Sequence, residues 1–305
     1  MNQLKNKFLK ETSKVILGKE KEFTIALCAY LSGGHILIED IPGVGKTTFA
    51  KTLSKILGLH FSRIQFTSDL MPSDIVGAKI FNQKEHVFTL MKGPLFDQFI
   101  LADELNRASP KTQSALLEAM EEGQITIDGE CLILPKPFFV VATQNPQTQI
   151  GTHQLPESQL DRFIAKLSLG YPSPGDEKKL ITGTNALKNL KSIETMIDPI
   201  EIEGIKQKIN QILISEKLAS YILEILNHSR KNDRFLPLSP RTGIDIAKMS
   251  RACAYLEGRD YVLPDDVKFI LSPAIIHRLT SSKDGGSARA ENNVQALIEL
   301  AHVDT

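Results

Sequence analysis

The sequence predicts an α/β protein: a mostly parallel sheet in the first part of the chain, then a smaller helical domain. Three observations carry this. Short apolar runs recur at 35–39, 59–66, 99–102, 138–143 and 164–169, with helical patterns among them. Chains that alternate in this way build parallel sheets. The run Ile36-Leu37-Ile38-Glu39 stops at a Pro/Gly turn, and Lys46-Thr47-Thr48 then opens a helical pattern. Beyond Tyr171-Pro172-Ser173-Pro174-Gly175 the alternation gives way to helical periodicity. The expected units are therefore residues 1–172 and residues 173–305.

Taken in order, a helical pattern covers about residues 2–32 and breaks near Gly18. Strand 35–39, the turn and helix 46–57 follow. Leu59–Phe66 reads as a second strand, and Ser73–Val76 as a short helical turn. Residues 78–91 alternate around Asn82-Gln83-Lys84-Glu85, which predicts a hairpin. Phe99–Ala102 is a short buried strand ending in Asp103-Glu104, and 110–122 is a helix. Ile125–Leu132 turns at Asp128-Gly129, a second hairpin. Phe138–Thr143 is a strand ending at Gln144-Asn145-Pro146, and Ile164–Leu169 is another. In the second domain Ser239-Pro240-Arg241 reads as cap and first turn of a helix running to about Glu257. Leu263-Pro264-Asp265-Asp266 starts a further helix. Ser281–Arg289 is a polar loop before a last short one.

Composition narrows the function classes. The 305 residues are 42% hydrophobic, enough to bury a sizeable core. The 36 basic and 36 acidic residues cancel, whereas a dedicated nucleic-acid binder carries a basic excess. Lys5, Lys7, Lys10, Lys14, Lys19 and Lys21 are interleaved with Leu4, Phe8, Leu9, Val15 and Ile16, so they read as the solvated face of an amphipathic helix. Cys28, Cys131 and Cys253 lie far apart and read as small buried hydrophobes of a reducing compartment. The histidines form no metal-binding pair. No apolar run has membrane-spanning length and no signal-peptide pattern opens the chain, so a cytoplasmic protein is expected.

The chemistry concentrates at strand ends. Strand, Asp40-Ile41-Pro42-Gly43-Val44-Gly45-Lys46-Thr47-Thr48, helix is the order of a phosphate-binding loop. Amides of Gly43, Val44, Gly45 and the helix start would face an anion, with Lys46 adding a point charge. Thr47 is placed to ligate a Mg²⁺ ion that accompanies the nucleotide. One letter departs from the G-x-x-x-x-G-K-T pattern: its first glycine is Asp40, tolerable only if the carboxylate points away. Asp103 could hold Mg²⁺ through water, and Glu104 could orient or deprotonate an attacking water. Asn145 alone suits an Asx turn before Pro146. Between two nucleotide motifs it suits an amide that holds the water without repelling it. Arg162 and Arg241 alone would be surface ion pairs. Arg241 sits in the first turn of a helix, where the dipole disfavours a cation, which hints at an anionic partner.

These residues together resemble the MoxR family of AAA+ ATPases. The resemblance rests on Glu39–Thr47, Gly93–Phe96, Ala102–Ala108, Thr112–Glu122, Ala142–Pro146, Leu155–Glu157, Leu160–Phe163 and Ser239–Thr242, and spans most of 15–270. It implies an AAA+ P-loop core with a C-terminal helical lid domain, hairpin inserts near 75–95 and 124–134, and ATP with Mg²⁺ as cofactors. Lys46 and Thr47 would be Walker A, Asp103 and Glu104 Walker B, Asn145 sensor 1 and Arg241 sensor 2. Arg162 would be the arginine finger, reaching the neighbouring subunit's nucleotide, with Arg107 also at that interface. Gly18, in Ile16-Leu17-Gly18, would line the adenine pocket beside Pro42–Thr48. The family implies a homo-oligomer, commonly a hexameric ring, that remodels protein clients, often with a von Willebrand A domain partner.

The alternatives are a nucleotide-gated scaffold, a magnesium-chelatase-like subunit and a nucleic-acid motor. A motor's pore hairpins should carry Lys or Arg. Residues 125–134 have no basic residue and two acidic ones, Asp128 and Glu130.

Overall fold

The computed structural model describes residues 3–145, 152–182, 186–232, 235–279 and 292–297. The polar loop expected at 281–289 and Pro146 lie outside them. Helices α1 (Gln3–Ser13) and α2 (Glu20–Leu31) precede strand β1 (Ile36–Glu39) and helix α3 (Lys46–Ile56). The helical pattern of 2–32 is thus two helices, separated around Gly18, whose φ of +70° suits glycine. Strand β2 (Phe61–Gln65), helix α4 (Pro72–Val76) and the hairpin β3 (Gly77–Asn82) and β4 (Val87–Lys92) follow. Next come β5 (Phe99–Asp103), α5 (Pro110–Glu122), the hairpin β6 (Gln124–Ile127) and β7 (Glu130–Ile133), then β8 (Phe139–Gln144), α6 (Glu157–Leu160) and β9 (Ala165–Leu167).

Five strands form one sheet in the order β2-β5-β8-β1-β9, and every pairing is parallel. The three central strands, β5, β8 and β1, are largely apolar because both of their faces are covered. Successive side chains alternate between two layers. Ile36, Ile38, Phe99, Leu101, Phe139 and Val141 enter one, with α2, α3 and the C-terminal helices. Leu37, Ile100, Ala102, Val140 and Ala142 enter the other, with α5. Aromatic rings tie the first layer: Phe23 stacks on Phe49 at 4.2 Å, and Phe139 meets Phe99 edge-on at 5.5 Å.

Residues 168–173 carry neither helix nor strand. Beyond them lie α7 (Pro174–Ile181), α8 (Ala186–Lys191), α9 (Ile202–Asn210), α10 (Glu216–Lys231), α11 (Pro240–Leu256), α12 (Pro264–Ile275) and a helical stretch at 292–297. As its sequence predicts, α11 starts with Pro240 behind a serine cap, Ser239 Oγ accepting from the Thr242 amide at 3.3 Å. Helix α11 packs on α2, bringing Cys253 beside Cys28; the thiol–thiol hydrogen bond and burial together push the Cys28 pKa well up. Cys131 departs from its expected burial. It sits on the outward side of a two-stranded hairpin, where no second layer covers it.

His35, just before β1, joins three elements. Its Nε2–H donates to the Met120 carbonyl at 3.1 Å, and its Nδ1 accepts from the Val140 amide at 3.0 Å. Burial lowers its pKa to about 4. An unfolded histidine titrates near 6.5. Below that pH the unfolded chain binds a proton that the folded chain refuses, so folding is progressively penalised as pH falls towards 4. The slope is up to about 1.4 kcal/mol per pH unit. The melting temperature should therefore fall between about pH 6.5 and 4.5 more steeply in the native protein than in His35→Gln. Equal slopes would remove His35 as a source.

Candidate active site

In a parallel sheet, the loops after β1, β5 and β8 leave from one edge, and three predicted motifs meet there. After β1, Gly43 and Gly45 take φ of +90° and +94°. A Cβ built on either meets nothing within 4 Å, so the loop faces open space. The backbone conformation, not crowding, requires glycine here. Serine hydroxyls cap α5, α10 and α11, whereas no side chain caps α3. An uncapped first turn beside two left-handed glycines leaves the first amides of α3 without a side-chain acceptor on an open side of the loop, the arrangement that suits an anion. A polyphosphate therefore fits this loop. Pro42 and Gly43 are exposed there; Val44, Thr47 and Thr48 are half-buried.

Lys46 is buried, and its Nζ donates to the Asp40 carbonyl and, at 2.9 Å, to Asn145 Oδ1. Burial lowers its pKa, while Asp40, Asp103, Glu104 and Glu39 oppose that shift in decreasing order. Asn145 turns its other end to Glu104, Nδ2 lying 3.4 Å from Oε1. One amide thus spans the lysine after β1 and the carboxylate after β5. Glu104 holds φ of +58°, uncommon for a residue with a Cβ. Strained backbone of this kind clusters at working sites. Its amide donates to Thr143 Oγ1 at 2.9 Å, and the same hydroxyl donates to Asp103 Oδ1 at 2.6 Å. Arg107 Nη1 donates to Glu104 Oε2 at 2.7 Å. Asp103 Oδ2 accepts from Arg63 Nη2 at 2.6 Å. Asp103 and the Thr47 hydroxyl are hard oxygen donors of the kind Mg²⁺ takes.

The carboxylate of Asp40 turns one oxygen to the segment after β9, while Oδ1 accepts from the Ile41 amide at 3.2 Å. Oδ2 accepts from the amides of Leu169 and Gly170, the second at 2.8 Å, and from Ser168 Oγ at 3.1 Å. The non-glycine letter is thereby accommodated. Gly18 lies against the first turn of α7, the helix that follows this segment: a Cβ there would lie 3.1 Å from Asp176 Oδ2.

Arg162 and Arg241 are elsewhere. Strand β9 runs parallel to β1 with Ala165 opposite Ile36, so Arg162, just before β9, lies at the edge where β1 begins. Lys46 follows the other end of β1, about 13 Å of strand away at roughly 3.3 Å per residue. Arg241 joins Arg162 through a shared carboxylate. Glu121 Oε2 lies 2.9 Å from Arg162 Nη1, and Oε1 lies 3.1 Å from Arg241 Nη1. Arg162 Nη1 also donates to the Leu117 carbonyl at 2.7 Å. The misfit of a cation at the start of α11 is answered by Glu121. Both arginines border a cavity of about 350 Å³ with His35, Met120 and Lys248. The structure thus unites Lys46, Asp103, Glu104 and Asn145, and groups Arg162 with Arg241 apart from them.

Sequence reasoning passed over Thr143 and Arg63. Thr143 had a signal, a hydroxyl completing an otherwise apolar run. Arg63, a polar residue on an edge strand, had none.

Both hairpins stand off the sheet, joined by Lys79 and Glu130 at 2.9 Å. Ile80, Phe81, Val87, Phe88 and Met91 are exposed on the first.

Residues 35–165 match the family described as ATPase family associated with various cellular activities (AAA), and residues 231–299 match the AAA lid domain. The chain is 41% identical to the protein YeaC of Bacillus subtilis, over 92% of this chain and 88% of that one. It is 37% identical to Chaperone MoxR1 of Mycobacterium tuberculosis, over 90% of this chain and 75% of the relative. Protein MoxR of Paracoccus denitrificans is 26% identical, over 94% and 91%. A crystal structure of a Cytophaga hutchinsonii protein superposes with a TM-score of 0.86 at 35% identity, covering 99% of this chain and 96% of the other.

Proposed function

The chain belongs to the MoxR family of AAA+ ATPases and hydrolyses ATP in a chaperone-like role, and from that premise we propose that it is a ring-forming remodeller of protein clients. The observation that carries this reading is the division of the machinery. In one subunit Asn145 links Lys46 to Glu104, while Arg162 and Arg241 lie apart from them, paired through Glu121.

Each residue then has a role. Amides of Pro42–Thr48 (proline's excepted) and Lys46 bind the β- and γ-phosphates, and Gly18 borders the adenine. Thr47 and Asp103 would hold Mg²⁺, which when bound neutralises phosphate charge. Glu104 orients and deprotonates the attacking water, with Asn145 fixing it between Lys46 and Glu104. Thr143 fixes Asp103 and the Glu104 backbone. Arg162 and Arg241 stabilise the transferring phosphoryl group on the neighbouring subunit. Residues 1–172 act as the nucleotide core and 173–305 as the lid.

The exposed apolar hairpin favours protein clients. Ile80, Phe81 and Phe88 suit apolar segments, whereas nucleic-acid binding is dominated by phosphate contacts from cations. A hexameric ring and a von Willebrand A partner belong to this reading. No helix among the described residues is long and apolar enough to cross a membrane.

The test is the dependence of specific ATPase activity on chain concentration, read beside sedimentation velocity. Activity per chain should rise as the oligomer forms, and a client should raise it further. Full, concentration-independent activity in a monomer would overturn the trans arrangement.

A further inference from the structure

Arg278, three residues beyond the end of α12, is a buried guanidinium with only 5% of its side chain exposed. It reaches across to the segment that carries Arg162. Its Nε lies 2.9 Å from Asp161 Oδ1, and its Nη2 donates to the carbonyls of Asp161 and Phe163, each at 3.0 Å. The residues on both sides of Arg162 are therefore held by one side chain. The same Nη2 donates to Asp245 Oδ2 at 2.7 Å. Asp245 lies one turn beyond Arg241 on α11, so the second arginine is tied to the same point. His277 adds an Nε2–H donated to the Phe163 carbonyl at 2.9 Å.

Stability alone is a poor reason for such a cluster. Taking ions out of water is costly, and apolar replacements of buried ion pairs are often neutral or stabilising. Arg278 Nε and Nη1 are moreover buried without a hydrogen-bond partner among the described residues, the Nε contact with Asp161 being an ion pair only. What a guanidinium supplies that an apolar side chain does not is a rigid, planar set of donors with fixed directions. Here one guanidinium nitrogen, Nη2, ties both backbone carbonyls around Arg162 to the Asp245 carboxylate on the helix of Arg241.

We propose that Arg278 is a positioning residue that sets Arg162 and Arg241 as one unit, so that both reach the neighbouring subunit's nucleotide together. The proposal rests on the trans reading of those two arginines. It makes the lid helices, through α11 and the end of α12, part of the device that serves the next active site.

The test is subunit mixing. Arg278→Lys keeps the charge but cannot span two carbonyls and two carboxylates. Its kcat should fall by about 10²-fold, the scale of a misplacement of roughly 1 Å. Its affinity for a fluorescent ATP analogue should stay within about twofold, because its own phosphate loop is intact. Lys46→Ala subunits lack a working nucleotide site but present intact arginines. Mixed with Arg278→Lys subunits, they should restore activity above the sum of the two alone. Arg162→Ala mixed with Lys46→Ala is the control. If that control pair stays inactive, the trans reading itself has failed. If it recovers and the Arg278→Lys pair does not, or if Arg278→Lys alone turns over normally, the positioning role is overturned. Asp161→Asn, which keeps the shape and the carbonyl, should give a milder loss that is rescued in the same way. Loss of folded circular-dichroism signal in both variants would mark the cluster as a stability element and would also overturn the proposal.

Discussion

Arg162→Ala is expected to reduce ATP turnover by roughly 10³–10⁵-fold, the range that trans-acting arginines supply to phosphoryl transfer. Nucleotide affinity should barely change. The argument is topological. Arg162 leads into β9, whose parallel pairing with β1 fixes it at the edge opposite Lys46. It cannot contribute to holding its own subunit's phosphates, so its loss should appear in kcat. Its contacts with Glu121 and the Leu117 carbonyl are part-exposed, and exposed pairs add little to stability. The melting temperature should therefore move little. Turnover equal to that of the native protein would end the role of Arg162.

Glu104→Gln is the second large effect. Glutamine has the shape of glutamate and still accepts from Asn145, but it does not remove a proton from water. Hydrolysis should slow by about 10²–10⁴-fold, the usual contribution of a general base. ATP should still bind, since Lys46 and the loop amides are untouched. Arg107 loses its charged partner, so some side-chain rearrangement is expected at residue 107. The variant should accumulate in the ATP-bound form and retain whatever client that form grips. Rapid single-turnover hydrolysis by this variant would remove Glu104 as the base.

The legibility of this site in the sequence follows how local each feature is. Lys46, Asp103, Glu104 and Asn145 end strands or begin a helix, and a parallel sheet places such ends at one edge by construction. Alternating strands and helices were therefore sufficient to bring them together. The serine-capped start of α11 was legible for the same reason. The pairing of Arg162 with Arg241 was not. It depends on β9 lying beside β1, a strand order that periodicity does not encode. The resemblance supplied roles for these arginines but not their shared carboxylate, Glu121. Arg278 gave no signal, because its function lies in contacts with residues distant in the chain. The expected burial of Cys131 failed where a two-stranded hairpin lacked a second layer to cover it.

Asp40 shows what a one-letter search pattern overlooks. Anyone screening genomes for a glycine at that place would discard this chain, and anyone installing the glycine would strip four donors of their acceptor. Residue 40 and the stretch 168–170 form a single bonded unit, spelled in two distant places, and should be edited together or left alone.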